Sequence, residues 1–313
     1  MKKYLIILGL FCIAVYVMFN LGLLLPRTKI TIKVVDEEGK PVHAATVSAT
    51  FEVLGGNNRW TVVSITNKSG LAALSKSSTG NLGFSVEKEG YYTSGGAWHG
   101  VRHSFGKWEP WNPEIGVVLR KILKPVPMYA RSTQMSKMRI PVVDKPVGFD
   151  LIKFDWVAPY GHGKYSDFIF KLERKFIADN NFDCKLHISF SNKYDGIQEV
   201  TNYYSNSVFK MPRLAPEDGY KNSLSHWRTY DKDSFADSRY YIFRIRSDVE
   251  NGKLIRAMYG KVHGDIRFDP RGSNTASIIF DYYVNPDYSH NLEFEPKRNL
   301  FINLPSTEGI TLP

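Results

Sequence analysis

Six side chains capable of binding or chemistry, Trp98, His99, Arg102, His103, Trp108 and Trp111, crowd the segment AWHGVRHSFGKWEPWNP between Gly90 and Ile115. Indoles beside imidazoles and a guanidinium can stack on a sugar ring or another flat ligand. The same three tryptophans could instead be packing groups, holding the segment down on the protein beneath it. His99 and His103 have the spacing of metal ligands on a helix. Gly100 disfavours that helix and no acidic third ligand lies near, so no metal is assigned.

Motifs of the common enzymes are missing from the rest of the sequence. There is no G-x-S-x-G, no H-E-x-x-H and no P-loop, since Gly161, Gly163 and Lys164 have the wrong spacing and no Ser or Thr follows the lysine. A glycosidase needs only two carboxyl groups at the right separation. Asp265, Asp269, Asp281 and Glu293 fall on adjacent expected strands or turns, and His162, His187 and His263 are further candidates for proton transfer. No catalytic residue and no cofactor is assigned from these alone. Cys184, in CKLHISF, reads as a small buried apolar residue rather than a nucleophile.

The elements that must position these groups begin with an exceptional N-terminus. Lys2 and Lys3 precede an apolar run from Tyr4 to Leu25, followed by Pro26, Arg27 and Lys29. A spanning helix needs about 20 apolar residues, whereas the apolar region of a cleavable signal has about 7–15. No A-x-A site closes the run, and Phe11 precedes Cys12 where a lipobox wants a small residue, so residues 1–27 read as an uncleaved transmembrane anchor. The positive-inside rule then leaves the N-terminus cytoplasmic and the C-terminal domains exported, periplasmic or extracellular, although Arg27, Lys29 and Lys33 oppose that orientation. Cys12 in the membrane and Cys184 beyond it would form no disulfide.

Aromatic residues, glycines and prolines are plentiful throughout, which points to strands and turns and an all-β fold. The net charge of +10 is spread among acidic neighbours and accompanies no helix-turn-helix, zinc-finger or RNP pattern. Nucleic acid is therefore not the expected partner. KITIKVVD from Lys29 alternates apolar and polar residues, and the turn Asp36 to Pro41 leads into a second alternating run, Ala45 to Val53, which reads as a hairpin. Trp60 to Thr66, Leu71 to Leu74, Leu82 to Glu87 and Ile115 to Arg120 are further strands, enough for an Ig-like β-sandwich.

In this stretch Val35, Asp36, Gly39, Pro41, Val42, Ala45 and Val47, then Thr66 and Gly70, then Val86, Gly90 and Tyr91, then Val118 and Leu119 resemble the carboxypeptidase regulatory-like, or transthyretin-like, domain. The resemblance covers residues 28–122. It implies a β-sandwich with Val34, Val47, Val86 and Leu119 inside, and an accessory module that is attached to many different proteins. It implies no activity.

Residues 123–146 carry basic residues and Pro125 and Pro127, and read as an interdomain linker able to rest on an anionic envelope polymer or lipid. Residues 147–313 read as a second, β-rich domain that resembles no characterised family. Its polar stretch Ser205 to Asp237 reads as a long surface excursion, and Glu250 to Lys253 as a tight hairpin turn of the Asn-Gly kind. The chain is thus expected to be a membrane-anchored exported protein, a non-catalytic binding or structural module of the cell envelope with polysaccharide or an anionic polymer as its partner. An extracytoplasmic hydrolase acting on polysaccharide or peptide is the alternative.

Overall fold

The computed structural model describes residues 25–53, 59–136, 138–201 and 203–313, together with isolated helical positions between 7 and 16. The expected transmembrane run from Tyr4 lies almost wholly outside the described residues. Among those that are described, no helix is long and apolar enough to cross a membrane. From Arg27 to Pro313 the described chain is all β-strands, bridges, turns and irregular segments. It divides into two compact units: residues up to 123 with 204–210, and residues 124–203 with 211–313.

The first unit is two sheets on one core. One sheet has β1 (Arg27–Asp36) at its centre, β4 (Leu71–Ser77) antiparallel to it, and β10 (Glu114–Lys121) parallel to it; β6 (Tyr91–Tyr92), β8 (Arg102–Ser104) and β9 (Lys107–Glu109) complete it. The other is antiparallel, in the order β3 (Arg59–Ile65), β2 (Thr46–Glu52), β5 (Asn81–Glu87), β7 (Ser94–His99). Alternate side chains of β1 and β10 and of β2 and β5 meet in one apolar cluster, in which Val34, Val47, Val86 and Leu119 are all fully buried. The expected hairpin of the first two strands does not form. β1 and β2 belong to opposite sheets, so the turn after Asp36 carries the chain across the sandwich instead of folding it back on itself. Gly70, at φ +75°, lies where any Cβ would stand 2.3 Å from the carbonyl oxygen of Val34, and glycine is therefore required at that crossing.

Residues 204–210 complete this unit from far along the chain. Gly95 N donates to Asn206 O at 2.7 Å and Val208 N to Thr93 O at 3.0 Å, so the segment lies beside β7 like a short added strand. Phe209 is fully buried, and the Arg120 guanidinium, itself buried, lies 4.3 Å from the ring centres of both Tyr204 and Phe209 while donating to Glu37 Oε1 at 2.9 Å. The stretch expected to be a polar surface excursion therefore contributes buried groups. Further on it contains a strand.

In the second unit, the residues expected to be a linker instead form two strands, β11 (Val126–Ser132) and β12 (Met138–Arg139). Alternation decides this: Val126, Met128 and Ala130 point inward, and β11 lies between two other strands in the middle of a sheet. The remaining strands are β13 (Val147–Asp150), β14 (Asp155–Trp156), β15 (Phe168–Ala178), β16 (Asn181–Ser189), β17 (Gly196–Glu199), β18 (Ser223–Thr229), β19 (Tyr241–Glu250), β20 (Lys253–Val262), β21 (Arg267–Asp269), β22 (Ser277–Ile279), β23 (Asp281–Asn285) and β24 (Phe294–Asn299). They make one sheet in the order β17-β19-β20-β23-β11-β24, a second in the order β14-β13-β15-β16-β18, and a smaller one of β12, β22 and β21. The turn between β19 and β20 is the expected two-residue one, with Asn251 and Gly252 both at positive φ. Phe149, Phe168, Phe170, Leu186 and Ile188 of the second sheet pack on Tyr241, Phe243 and Tyr282 of the first, with Phe168 and Phe243 edge to face at 5.1 Å. Cys184 is a free thiol in this core, as its neighbours implied.

An ion cluster ties these two sheets at one end. At a bulge in β19, Arg246 adopts φ +52° and its guanidinium donates to both carboxylate oxygens of Asp167 at 2.8 Å and to Asp150 Oδ1 at 2.9 Å. Asp150 also accepts the amides of Ile152, Lys153, Lys164 and Tyr165, which pins the connection between β13 and β15. Removing one partner from such a buried set leaves the others uncompensated, at a cost of about 3–5 kcal/mol. Arg246→Ala should accordingly lose about that much in urea unfolding; a loss within the error of the measurement would mean that the cluster is not holding the two sheets.

Candidate functional site

The aromatic segment is not an irregular loop. It is built from β7 and from the hairpin of β8 and β9, in which Phe105 and Gly106 turn at positive φ. Register then sorts the six candidate residues. Trp98 pairs with buried Leu82 and packs on the core cluster, so it faces inward, while His99 pairs with Asn81 and faces outward. Trp108 is also committed to packing: its indole N–H donates to Ser78 O at 2.9 Å, and Cβ atoms at Gly80 or Gly100 would stand within 2.8 Å of its ring. His103 meets the Trp108 ring edge to face at 5.2 Å, Arg102 is exposed opposite Glu109, and Trp111 is half-buried with Lys107 Nζ 4.9 Å from a ring centre. Among the described residues no ring contact joins the three indoles, and Trp98 and Trp108 each have packing contacts of their own. Nor do His99 and His103 share a helix; they lie on different strands. No three His, Cys, Asp or Glu side chains group as a metal site among the described residues.

Of the six, His99 opens onto a groove. The outer face of the sheet β3-β2-β5-β7 carries a hollow of about 280 Å³ lined by Thr50, Glu52, Arg59, Asn81, Gly83 and His99. Its floor is low because Gly83 has no side chain and its neighbour across the ladder is Ala97; a Cβ at Gly83 would meet nothing nearer than 3.9 Å. Along one edge, cross-strand pairing aligns Arg59 with Glu52 and Asn81 with His99. Asn81 Nδ2 donates to Glu52 Oε2 at 2.9 Å, and His99 Nδ1 lies 3.0 Å from Asn81 Oδ1. The amide oxygen only accepts, so Nδ1 carries the proton and Nε2 of the neutral ring is an acceptor. Carboxylate, amide and imidazole are thus hydrogen-bonded in a row, and cross-strand pairing places the guanidinium of Arg59 beside it, so the four groups span four strands, about 14 Å at the spacing of neighbouring strands. Such a row can bond an extended ligand rich in hydroxyl groups.

Glu52, Arg59, Asn81 and Thr50 were not singled out in the sequence. Their signal is weak: Ser48, Thr50 and Glu52 occupy every second place of β2, which marks an outward face but not what the facing strands bring to it.

Each of the candidate carboxylates has bonding partners of its own. Asp265 is buried and accepts from Tyr241 Oη at 2.8 Å, Arg239 at 3.0 Å and the amides of Ala236 and Ile266. Asp269 is held by Arg271 at 2.9 Å, and Glu293 is buried and bonded to Arg213 and the amide of Lys124, each at 2.9 Å. Burial pushes the Asp281 carboxyl up, against the hydrogen bonds of Ser132 and Gln134. His226, which the sequence reading passed over, lies buried 3.4 Å from Asp265, and burial pulls its imidazole below the usual histidine value despite that carboxylate. His162 is almost fully exposed.

No family model and no curated protein matches the chain. Among solved structures it is similar to a 3-chlorocatechol 1,2-dioxygenase from Rhodococcus opacus 1CP, at 12% identity and a TM-score of 0.25, over 31% of this chain and 61% of that one. A DUF3823 family protein from Parabacteroides merdae aligns at 6% identity and TM-score 0.22 over 87% of this chain and all of the other. A candidate carbohydrate-binding protein from Bacteroides uniformis aligns at 10% identity and TM-score 0.20, over 83% and 99%. Likeness this distant fixes neither the fold nor the activity.

Trp108, on the second strand of the hairpin, and Trp111, just beyond it, should separate cleanly in experiment. Trp108→Ala should lower unfolding stability by about 2–3 kcal/mol, less than a fully buried tryptophan would, while Trp111→Ala should stay within about 1 kcal/mol of the parent. Equal losses from the two, measured by chemical denaturation, would contradict the packing role given to Trp108.

Proposed function

We propose that this chain is a membrane-anchored, exported binding module of the cell envelope, and that its first unit holds an extended polysaccharide in the groove of the sheet β3-β2-β5-β7. The observation that carries the reading is the row Arg59, Glu52, Asn81 and His99, hydrogen-bonded from Glu52 through Asn81 to His99 above a floor opened by Gly83. A polar row already connected before the ligand arrives loses little side-chain freedom on binding. Its mixed donors and acceptors suit hydroxyl groups better than a uniformly charged polymer, which would find Glu52 beside Arg59. In this reading the first unit is a carboxypeptidase regulatory-like module. Left-handed Gly39, Gly70 and Gly90 at its turns support that assignment.

Affinity electrophoresis through gels containing soluble neutral polysaccharides, together with sedimentation on peptidoglycan, tests the groove. Retardation or co-sedimentation by the parent chain should weaken at least tenfold in Asn81→Leu and in His99→Ala at unchanged melting temperature, and persist in Trp111→Ala. Binding that survives both groove substitutions, or no binding to any of these polymers, would end the proposal.

Export is read from the N-terminal run and is tested separately. The protein should fractionate with membranes and retain Met1 or Lys2 as its first residue, with the bulk of the chain digestible by protease added to intact spheroplasts. A mature start near Arg27 would make the run a cleaved signal, and protection from protease would reverse the orientation.

A further inference from the structure

On the outward face of β15, β16 and β18, three strands bring Lys171, His187 and Ser225 directly opposite one another. Ser225 Oγ lies 2.8 Å from His187 Nδ1, and Glu173 Oε1 lies 3.5 Å from His187 Nε2. Lys171 Nζ donates to the same Glu173 oxygen at 3.0 Å. That bond, with His187 adding to it, keeps the Glu173 carboxyl below its usual range and therefore ionised at neutral pH. A carboxylate facing Nε2 favours the tautomer with its proton there. Nδ1 is then left to accept from the serine hydroxyl. His187 Nε2 is closed off from solvent and, 3.5 Å from Glu173 Oε1, is in ion-pair reach of it without a full hydrogen bond, while Ser225 is exposed and its hydroxyl is open to a reactant.

Two more side chains bear on what could react there. Trp227, two residues beyond Ser225 and on the same face, is 41% exposed, and Lys185 stands directly across the ladder from it. The backbone N–H groups of β16 are engaged in the ladder on both sides, and on β18, the edge strand of the sheet, the N–H of Trp227 is taken by Ser234 Oγ at 2.9 Å, so these groups are not free to serve as an oxyanion hole. Negative charge developing on a carbonyl oxygen would be met by the ammonium of Lys185 on the same face. Weak stabilisation of that kind restricts the substrate to esters with an acidic leaving group, and the Trp227 ring offers a flat surface to an aryl one.

We infer that Ser225, His187 and Glu173 form a nucleophilic site that hydrolyses aryl esters. As Ser225 Oγ bonds to the carbonyl carbon, its proton passes to His187 Nδ1, and the resulting imidazolium faces Glu173. Collapse of the adduct breaks the bond between the carbonyl carbon and the aryl oxygen, which leaves with the proton from Nδ1. Water then attacks the acyl-serine and gives a proton to Nδ1. That proton returns to Ser225 Oγ as the acid departs, and the site is restored. Glu173 touches neither serine nor substrate and acts as a positioning residue.

The test is to treat the full chain with an alkyl fluorophosphonate probe at pH 8, locate the adduct by peptide mass mapping, and follow p-nitrophenyl acetate hydrolysis in parallel. One adduct is expected, on Ser225. Ser225→Ala, an exposed hydroxyl removed at unchanged melting temperature, should abolish both labelling and hydrolysis. His187→Gln should slow labelling by about 100-fold or more, the range of a lost general base. The charged groups facing the imidazole are Lys171 and Glu173 on β15 and Lys185 on its own strand. Glu173→Gln removes the one negative charge among them, so the midpoint of the labelling rate against pH should move to lower pH, which a purely structural loss would not do. No adduct on the folded chain, an adduct elsewhere, or equal labelling in Ser225→Ala would overturn the inference. So would an unmoved midpoint in Glu173→Gln, a reading that stands even if His187→Gln fails to fold.

Discussion

A strand sends consecutive side chains to opposite faces, and both units depend on that alternation more than on any single bond. It puts Trp98 into the core of the first unit and His99, the next residue, onto its outer face. In the second unit it buries His226 beside Asp265 and leaves Ser225 in the open. Residues adjacent in sequence are therefore strangers in space, and residues far apart become neighbours when register brings their strands together. The row Arg59, Glu52, Asn81 and His99 is of this kind. Each member comes from a different strand, and the hydrogen bonds from Glu52 through Asn81 to His99 exist only because β5 lies between β2 and β7.

The same constraint explains what could be read in the sequence. Alternating apolar positions gave away β1, β2, β5 and β10, because a strand with one wet face and one dry face writes its period into the chain. The inward residues Val34, Val47, Val86 and Leu119 follow from it directly. Pairing was harder to read. Asp36 to Pro41 has the residues of a hairpin turn, yet a short polar connection serves equally well to cross from one sheet to the other, and nothing local distinguishes the two. Residues 123–146 were read as a linker because prolines and basic side chains dominate the eye. Met128 and Ala130 within them are fully buried. The outward places of β11 hold Pro127, Tyr129 and Arg131, and a proline and a cation on that face are compatible with a strand whose other face is buried.

The candidate site was only partly legible. His99 was singled out for its company of tryptophans, which lie on other faces and in other contacts, and it belongs to the groove for a different reason. Asn81, at the head of β5, shows in sequence only as a polar residue before an apolar run. Its amide matters because β7 and β2 flank it, and no spacing rule connects residues 52, 81 and 99. Charge is equally mute on burial. Arg120, Arg246 and Lys261 look like any surface cations in sequence, yet Arg120 and Lys261 are buried and Arg246 is largely so, each against partners supplied from distant segments.

Arg120 also bears on how the chain can be made. Its two flanking rings, Tyr204 and Phe209, come from a segment that is synthesised only after several strands of the second unit have already appeared. Until then the sandwich has every strand of its own and one guanidinium without its aromatic cover, together with an unpaired backbone edge at Thr93 and Gly95. A chain that emerges from N-terminus to C-terminus, whether at the ribosome or through a translocation channel, must therefore keep that edge from finding another partner during the interval. The interval ends when residue 210 arrives, and the first unit is finished by the middle of the second.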